Sequence, residues 1–123
     1  MEEYIPFLLQ LQTQTQVWHW QTNKYAAHVA LGDYYGKIQE LSDKFIEVTK
    51  GKNPSGAEPS LRETTFEVKG IVNIDIAAQY ALWAQQMLEI ANGEEMISKL
   101  DVQDIFLDMI NETHKLVYLL RLS

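Results

Sequence analysis

The sequence predicts an all-α chain: a single domain over residues 1–123, folded as an antiparallel four-helix bundle with a long crossover between helices two and three. Three observations predict it. Apolar residues recur at i, i+3, i+4 and i+7 in four separate stretches, the spacing of one buried helix face. The breaks after the first and third stretches are short, which makes each flanking pair antiparallel neighbours. Two prolines and two glycines fall in the segment 51–64, GKNPSGAEPSLRET, where no helix can run. A bundle whose second and third helices run parallel needs a long crossover at that point.

The first helix is predicted over Met1–Thr22. Glu2 and Glu3 suit the positive end of a helix dipole, and Pro6 is tolerated in a first turn. Leu8, Leu11, Thr15, Trp18 and Thr22 form its stripe, with Leu9 widening it. The QLQTQTQ run is polar without charge, which suits a half-buried or interfacial helix. Thr22, Asn23 and Lys24 make a tight turn. A second helix then runs from Tyr25 or Ala26 to about Lys50, with Leu31, Tyr34 or Tyr35, Ile38, Leu41, Phe45 and Val48 inside, and Gly51 as its stop. The loop covers about 51–68, with Thr65–Val68 briefly extended. The third helix runs from Gly70 or Ile71 to Asn92, burying Ile71, Ile74, Ala78, Ala81, Leu82 or Trp83, Met87 and Ile90, and Gly93 ends it. Asp101 is the expected N-cap of a fourth helix, Val102–Leu122, with Ile105 or Phe106, Met109, Ile110, Leu116, Val117 and Leu120 inside. His114 belongs on its surface or in helix–helix packing.

Composition narrows the function classes. Hydrophobic residues are 46% of the chain, enough for an ordinary core, and no apolar run approaches the roughly 18 residues of a membrane span. No basic-then-apolar leader opens the sequence, so the expectation is a cytoplasmic protein without a membrane role. The absence of cysteine removes disulfides, thiolate ligands and thiol nucleophiles. A net charge of −7, with only 10 Lys and Arg, leaves no basic stripe for nucleic acid. No phosphate loop, zinc-hydrolase motif or nucleophile paired with a base is present.

Chemistry-bearing residues concentrate between His19 and Glu47. Two of the three histidines, His19 and His28, lie there, and so do Asp43 and Glu47. Four residues apart on a helix, those two carboxylates share a face about 6 Å apart along the axis. Two imidazoles and two carboxylates suit iron, manganese or zinc. His28 and Asp43 are fifteen residues apart on one predicted helix, roughly 22 Å, so they cannot hold one ion within a single chain. A two-fold copy of the helix crossing near Tyr35–Ile38 would bring His28 of one chain to Asp43 and Glu47 of the other. Gly32 and Gly36 fall at or one turn from that crossing. A glycine inside a helix costs about 1 kcal/mol against alanine, and close backbone contact would explain it.

At these residues the chain resembles the Dps-type mini-ferritins of the ferritin-like superfamily. The resemblance rests on the pair His19-Trp20, on His28 in AAHVAL, on Asp43 and Glu47 in a D-x-x-x-E arrangement followed by Gly51, and on the closing helix with Lys115, Tyr118 and Leu120. It covers about two thirds of the chain. It implies a ferroxidase site built from His19 and His28 of one subunit and Asp43 and Glu47 of its neighbour, with Trp20 beside the metals as an electron donor. It also implies a homodimer, extending to a larger shell. The chain departs from the pattern in four places. The position one turn after His28, usually an aspartate, is Gly32; Asp33 is one residue, about 100°, further round, and stands as the candidate metal ligand in its place where the helix start is irregular. The turn between the histidines is shorter. The segment between helices two and three carries Pro and Gly in place of a short helix. No lysine-rich tail is present, so DNA binding does not carry over. Short ferritin-like chains of this kind occur in bacteriophage genomes, which would place the protein in the host cytoplasm.

Two functions follow as expectations. One is iron binding and Fe(II) oxidation at intersubunit sites. The other is a catalytically degenerate helical module that binds a protein or small ligand, with at most a structural metal, zinc being the natural choice. No Glu-x-x-His pair occurs, which argues against the in-bundle di-iron site of larger ferritins.

Overall fold

The computed structural model describes residues 2–52 and 63–123. The expected loop at 51–64 therefore falls largely outside the described residues. All regular structure among the described residues is helical. A 3-10 turn at Glu2–Tyr4 leads into α1, Ile5–Gln21. α2 is Tyr25–Lys52, α3 is Ile76–Ala91, α4 is the single turn Glu94–Ile97, and α5 is Leu100–Arg121.

The connections fix the directions. Thr22–Lys24 reverses the chain so that α2 runs back along α1, with Tyr4 at one end of α1 against Phe45, ring centroids 6.5 Å apart, and His19 at the other end against His28. α5 runs antiparallel to α2: Phe45 meets Phe106 at 5.1 Å, Tyr34 meets Thr113, and Lys52 bridges Asp101 at 3.0 Å. α3 runs antiparallel to α5, with Gln103 donating to the Ala91 carbonyl at one end and Ile76 facing Leu120 across a groove at the other. α1 and α3 meet through large side chains, Trp18 against Tyr80 and Trp83. Each of the four long helices thus touches two neighbours around one core.

That core contains Leu8, Leu11, Trp18, Leu31, Ile38, Phe45, Trp83, Met87, Phe106, Met109 and Leu116, all buried. At its centre sit two tyrosine–threonine pairs. Tyr34 and Thr113 bond hydroxyl to hydroxyl at 2.7 Å between α2 and α5, and Tyr80 and Thr15 do the same at 2.7 Å between α3 and α1. Each threonine hydroxyl donates onward to the carbonyl one turn back, Met109 or Leu11. With both threonine hydrogens so committed, the phenols are the donors in their pairs. The two tyrosine rings meet edge to face, 5.4 Å apart.

Several boundaries differ from expectation, each for a local reason. α2 continues through Gly51 to Lys52, where Lys52 pairs with Asp101 across the bundle. α3 starts at Ile76 instead of Gly70 or Ile71, because the Asp75 carboxylate accepts the Ala78 N–H and so caps it; Asn73 just before takes a left-handed φ of 60°. Asp101 lies inside the first turn of α5, whose N-cap is Lys99. Glu94 and Glu95 open a helix of a single turn. Ala78 is exposed, and of the pair Leu82 and Trp83 it is Trp83 that is buried.

Residues 63–70 carry neither helix nor strand. Their main chain is held by glutamines of α1. Gln10 donates to the Glu67 carbonyl, Gln14 both donates to the Lys69 carbonyl at 2.8 Å and accepts its N–H at 2.6 Å, and Gln21 accepts the Ile71 N–H. The uncharged polar run of the first helix therefore satisfies backbone groups that would otherwise lie unpaired against the bundle.

Candidate functional site

The short turn Thr22–Lys24 sets the last turn of α1 beside the first turns of α2, and this corner brings His19 and His28 together. Their rings stack with centroids 3.9 Å apart and planes 17° from parallel. Each ring also bonds to the other residue's main chain. His19 Nδ1–H donates to the His28 carbonyl at 2.7 Å, and His28 Nδ1–H donates to the His19 carbonyl at 2.9 Å. Both rings thereby carry their proton on Nδ1, so that in each neutral imidazole the remaining lone pair is on Nε2. Metal-bound histidines are held the same way, with the other ring nitrogen donating to a carbonyl or carboxylate.

Gly32 completes the corner. A Cβ at this position would stand 2.9 Å from His19 Cε1 and 3.3 Å from His19 Nδ1. The imidazole lies directly over the α2 backbone, in space that any other residue would fill.

The stack limits what the pair can do with a metal. An imidazole binds through a lone pair in the plane of its ring, about 2 Å from the ion. Two planes spaced and tilted as these are converge only on the order of 10 Å away, far outside that bond length. The two rings as placed cannot hold one ion between them. Each ring can hold an ion of its own through Nε2.

The other predicted residues lie elsewhere. Asp33 lines a groove of about 180 Å³ on the α5 side of α2, with Lys37, Glu112 and Lys115, while His19 covers the α1 side. Asp43 and Glu47 are both exposed on the far half of α2, which is unbroken from Tyr25 to Lys52. They remain roughly 22 Å and more along the axis from His28. Among the described residues no group of three or more His, Asp or Glu could hold an ion within one chain. Trp20 is 67% exposed beside the histidine pair, and Trp18, two residues earlier, is fully buried. Gly36 has nothing within 4 Å of its Cβ position, so no contact among the described residues accounts for a glycine there.

Sequence reasoning missed what Gly32 does. The available signal was a glycine inside a helix one turn after a histidine, which marks close packing without naming the group that packs. A wider groove of about 380 Å³ at the same end of the molecule, lined by Lys24, Ile71, Asp75 and Ser123 among others, shares none of the predicted residues.

No curated protein and no solved structure matches the chain. Residues 19–120, from the first histidine of the corner almost to the end of α5, match a family of unknown function, DUF5856, and the chain belongs to that family.

Proposed function

We propose that the chain is a ferritin-like four-helix bundle that pairs as a homodimer, the unit of any larger shell, and oxidises Fe(II) at sites shared between subunits. The helix order supports the fold: α1 up, α2 and α3 down, α5 up, with residues 67–71 running along α1 from Gln10 to Gln21. The observation that carries the function is the state of the two histidines. Both are brought to one corner with Nδ1 committed to a carbonyl and Nε2 left as the ligand atom. His19 and His28 would each hold one Fe(II), and Asp43 and Glu47 of the second subunit would supply oxygen ligands and balance charge. Asp33 lines the groove on the α5 side of α2 with Lys37 and Glu112. Trp20, exposed beside the pair, would donate an electron when oxidant outruns iron. Two Fe(II) lose one electron each, and peroxide accepts both as its O–O bond breaks to two hydroxides; dioxygen serves as the alternative acceptor. Iron enters as substrate.

Gly32 and the stacked rings favour a second reading. A corner whose histidines bind each other and whose neighbouring position has no side chain is also a structural clasp, in a module that holds a partner instead of iron. Aerobic and peroxide-driven Fe(II) oxidation, followed by near-ultraviolet absorbance with Glu47→Ala alongside, separates the two. Oxidation by the parent and its loss in Glu47→Ala is the expected result. Equal rates in the two would remove Glu47 from the site. A parent that does not oxidise iron would leave the clasp reading.

A further inference from the structure

We infer that Gly32 is a positioning residue: it is the seat of the His19 imidazole, and the short 22–24 turn and the glycine work as a pair. The short turn sets the His19 ring over α2, one turn past His28. Only a residue without Cβ leaves room for it there, since a Cβ would come within 2.9 Å of the ring. The ring cannot yield without loss. Shifting away from a side chain at residue 32 breaks the 2.7 Å bond to the His28 carbonyl and opens the 3.9 Å stack. What Gly32 fixes is therefore the direction of His19 Nε2, and through the stack that of His28. It follows that a carboxylate introduced at this position does not add a ligand to the corner; it evicts one. For iron this rests on the proposed function above. The seat itself does not.

The test uses the full chain and two backgrounds. In the parent, side-chain 1H–15N spectra should show two protected imidazole Nδ1–H resonances. Gly32→Ala should keep the helical circular dichroism and lose both. Retention of both signals in Gly32→Ala would overturn the inference. The second measurement is thermal. Alanine is the better helix former, so Gly32→Ala in a His19→Ala background should raise the melting temperature. In the parent, where the ring is displaced, the rise should be smaller or reversed. An equal rise in both backgrounds would show that the ring and residue 32 do not compete, and would sink the proposal. Fe(II) oxidation run on the same proteins keeps the two ideas apart. Absent activity in the parent refutes the ferroxidase reading alone, whereas activity in Gly32→Asp equal to or above the parent refutes the seat.

Discussion

Two polar assemblies in this molecule look alike in outline and differ in where they sit. At the centre, Tyr34 with Thr113 and Tyr80 with Thr15 tie the four long helices together, and all four residues are at most 3% exposed. At the α1–α2 corner, His19 and His28 tie two helices together near solvent. The central hydroxyls end on helix carbonyls and offer no free group to a ligand. The corner imidazoles each keep Nε2. Burial decides the difference: a polar group sealed in a core is costly unless every bond is made, so it serves stability, and one at the rim can leave a lone pair unused. The contrast predicts that stability and chemistry separate cleanly under mutation.

The largest expected effect is at Trp18, which is fully buried against Tyr80 and Trp83. Trp18→Ala should cost about 3–5 kcal/mol in urea unfolding, whereas Trp20→Ala, at an exposed site, should stay within about 0.5 kcal/mol. A similar cost for both would erase the division between centre and corner. Next comes Tyr34→Phe. It leaves the buried Thr113 oxygen without its donor and should cost about 1–3 kcal/mol, against less than about 1.5 kcal/mol for His19→Ala, whose bonds are near solvent.

The centre should also reveal itself in alkali. Burial raises the Tyr34 and Tyr80 phenols well above the ordinary tyrosine range, and only partly do their threonine partners offset it. Below about pH 10 both phenols are neutral folded and unfolded, so their contribution is fully present. As pH rises further the unfolded chain ionises first and stability falls. Phenolate absorbance should therefore show two of the six tyrosines silent until the helical signal collapses. Six tyrosines titrating together in folded protein would contradict a sealed centre. The smallest stability effect belongs to Asp43→Asn. At an exposed position it should shift unfolding by no more than about 0.5 kcal/mol, while Fe(II) oxidation drops at least tenfold.

The sequence shows the corner more plainly than the centre. His19 and His28 stand out because the chain has only three histidines and two of them fall nine residues apart across a short turn. Thr15 and Tyr34 look like ordinary stripe positions and Tyr80 and Thr113 fall outside the expected stripes, since nothing local says that a tyrosine on α3 will find a threonine 65 residues away. The four long helices were legible from periodicity. Their ends were not, where a long-range partner overrides a local signal. Gly51 has the look of a stop, but Lys52 reaches Asp101 and the helix continues. Asp101 has the look of a cap, but Leu100 is already helical. Asp75 does cap a helix, yet an apolar rhythm running back to Ile71 hides it. Gly32 was visible as an anomaly, and only the turn geometry, which depends on both helices, explains it.

The glutamines of α1 carry a consequence for how this chain can vary. They grip residues 67, 69 and 71 by main-chain atoms alone, and the Lys69 side chain takes no part. Every amino acid offers the same N–H and carbonyl, proline excepted, which has no N–H to give at 69 or 71. At 67 and 69 the strap is therefore held by its path, with little hold on its identity; Ile71 also packs its side chain on the core, and the polar constraint falls on Gln10, Gln14 and Gln21. An engineer could rewrite the outward-facing letters of 67–69, to carry a tag or a recognition peptide, and leave the scaffold beneath it untouched.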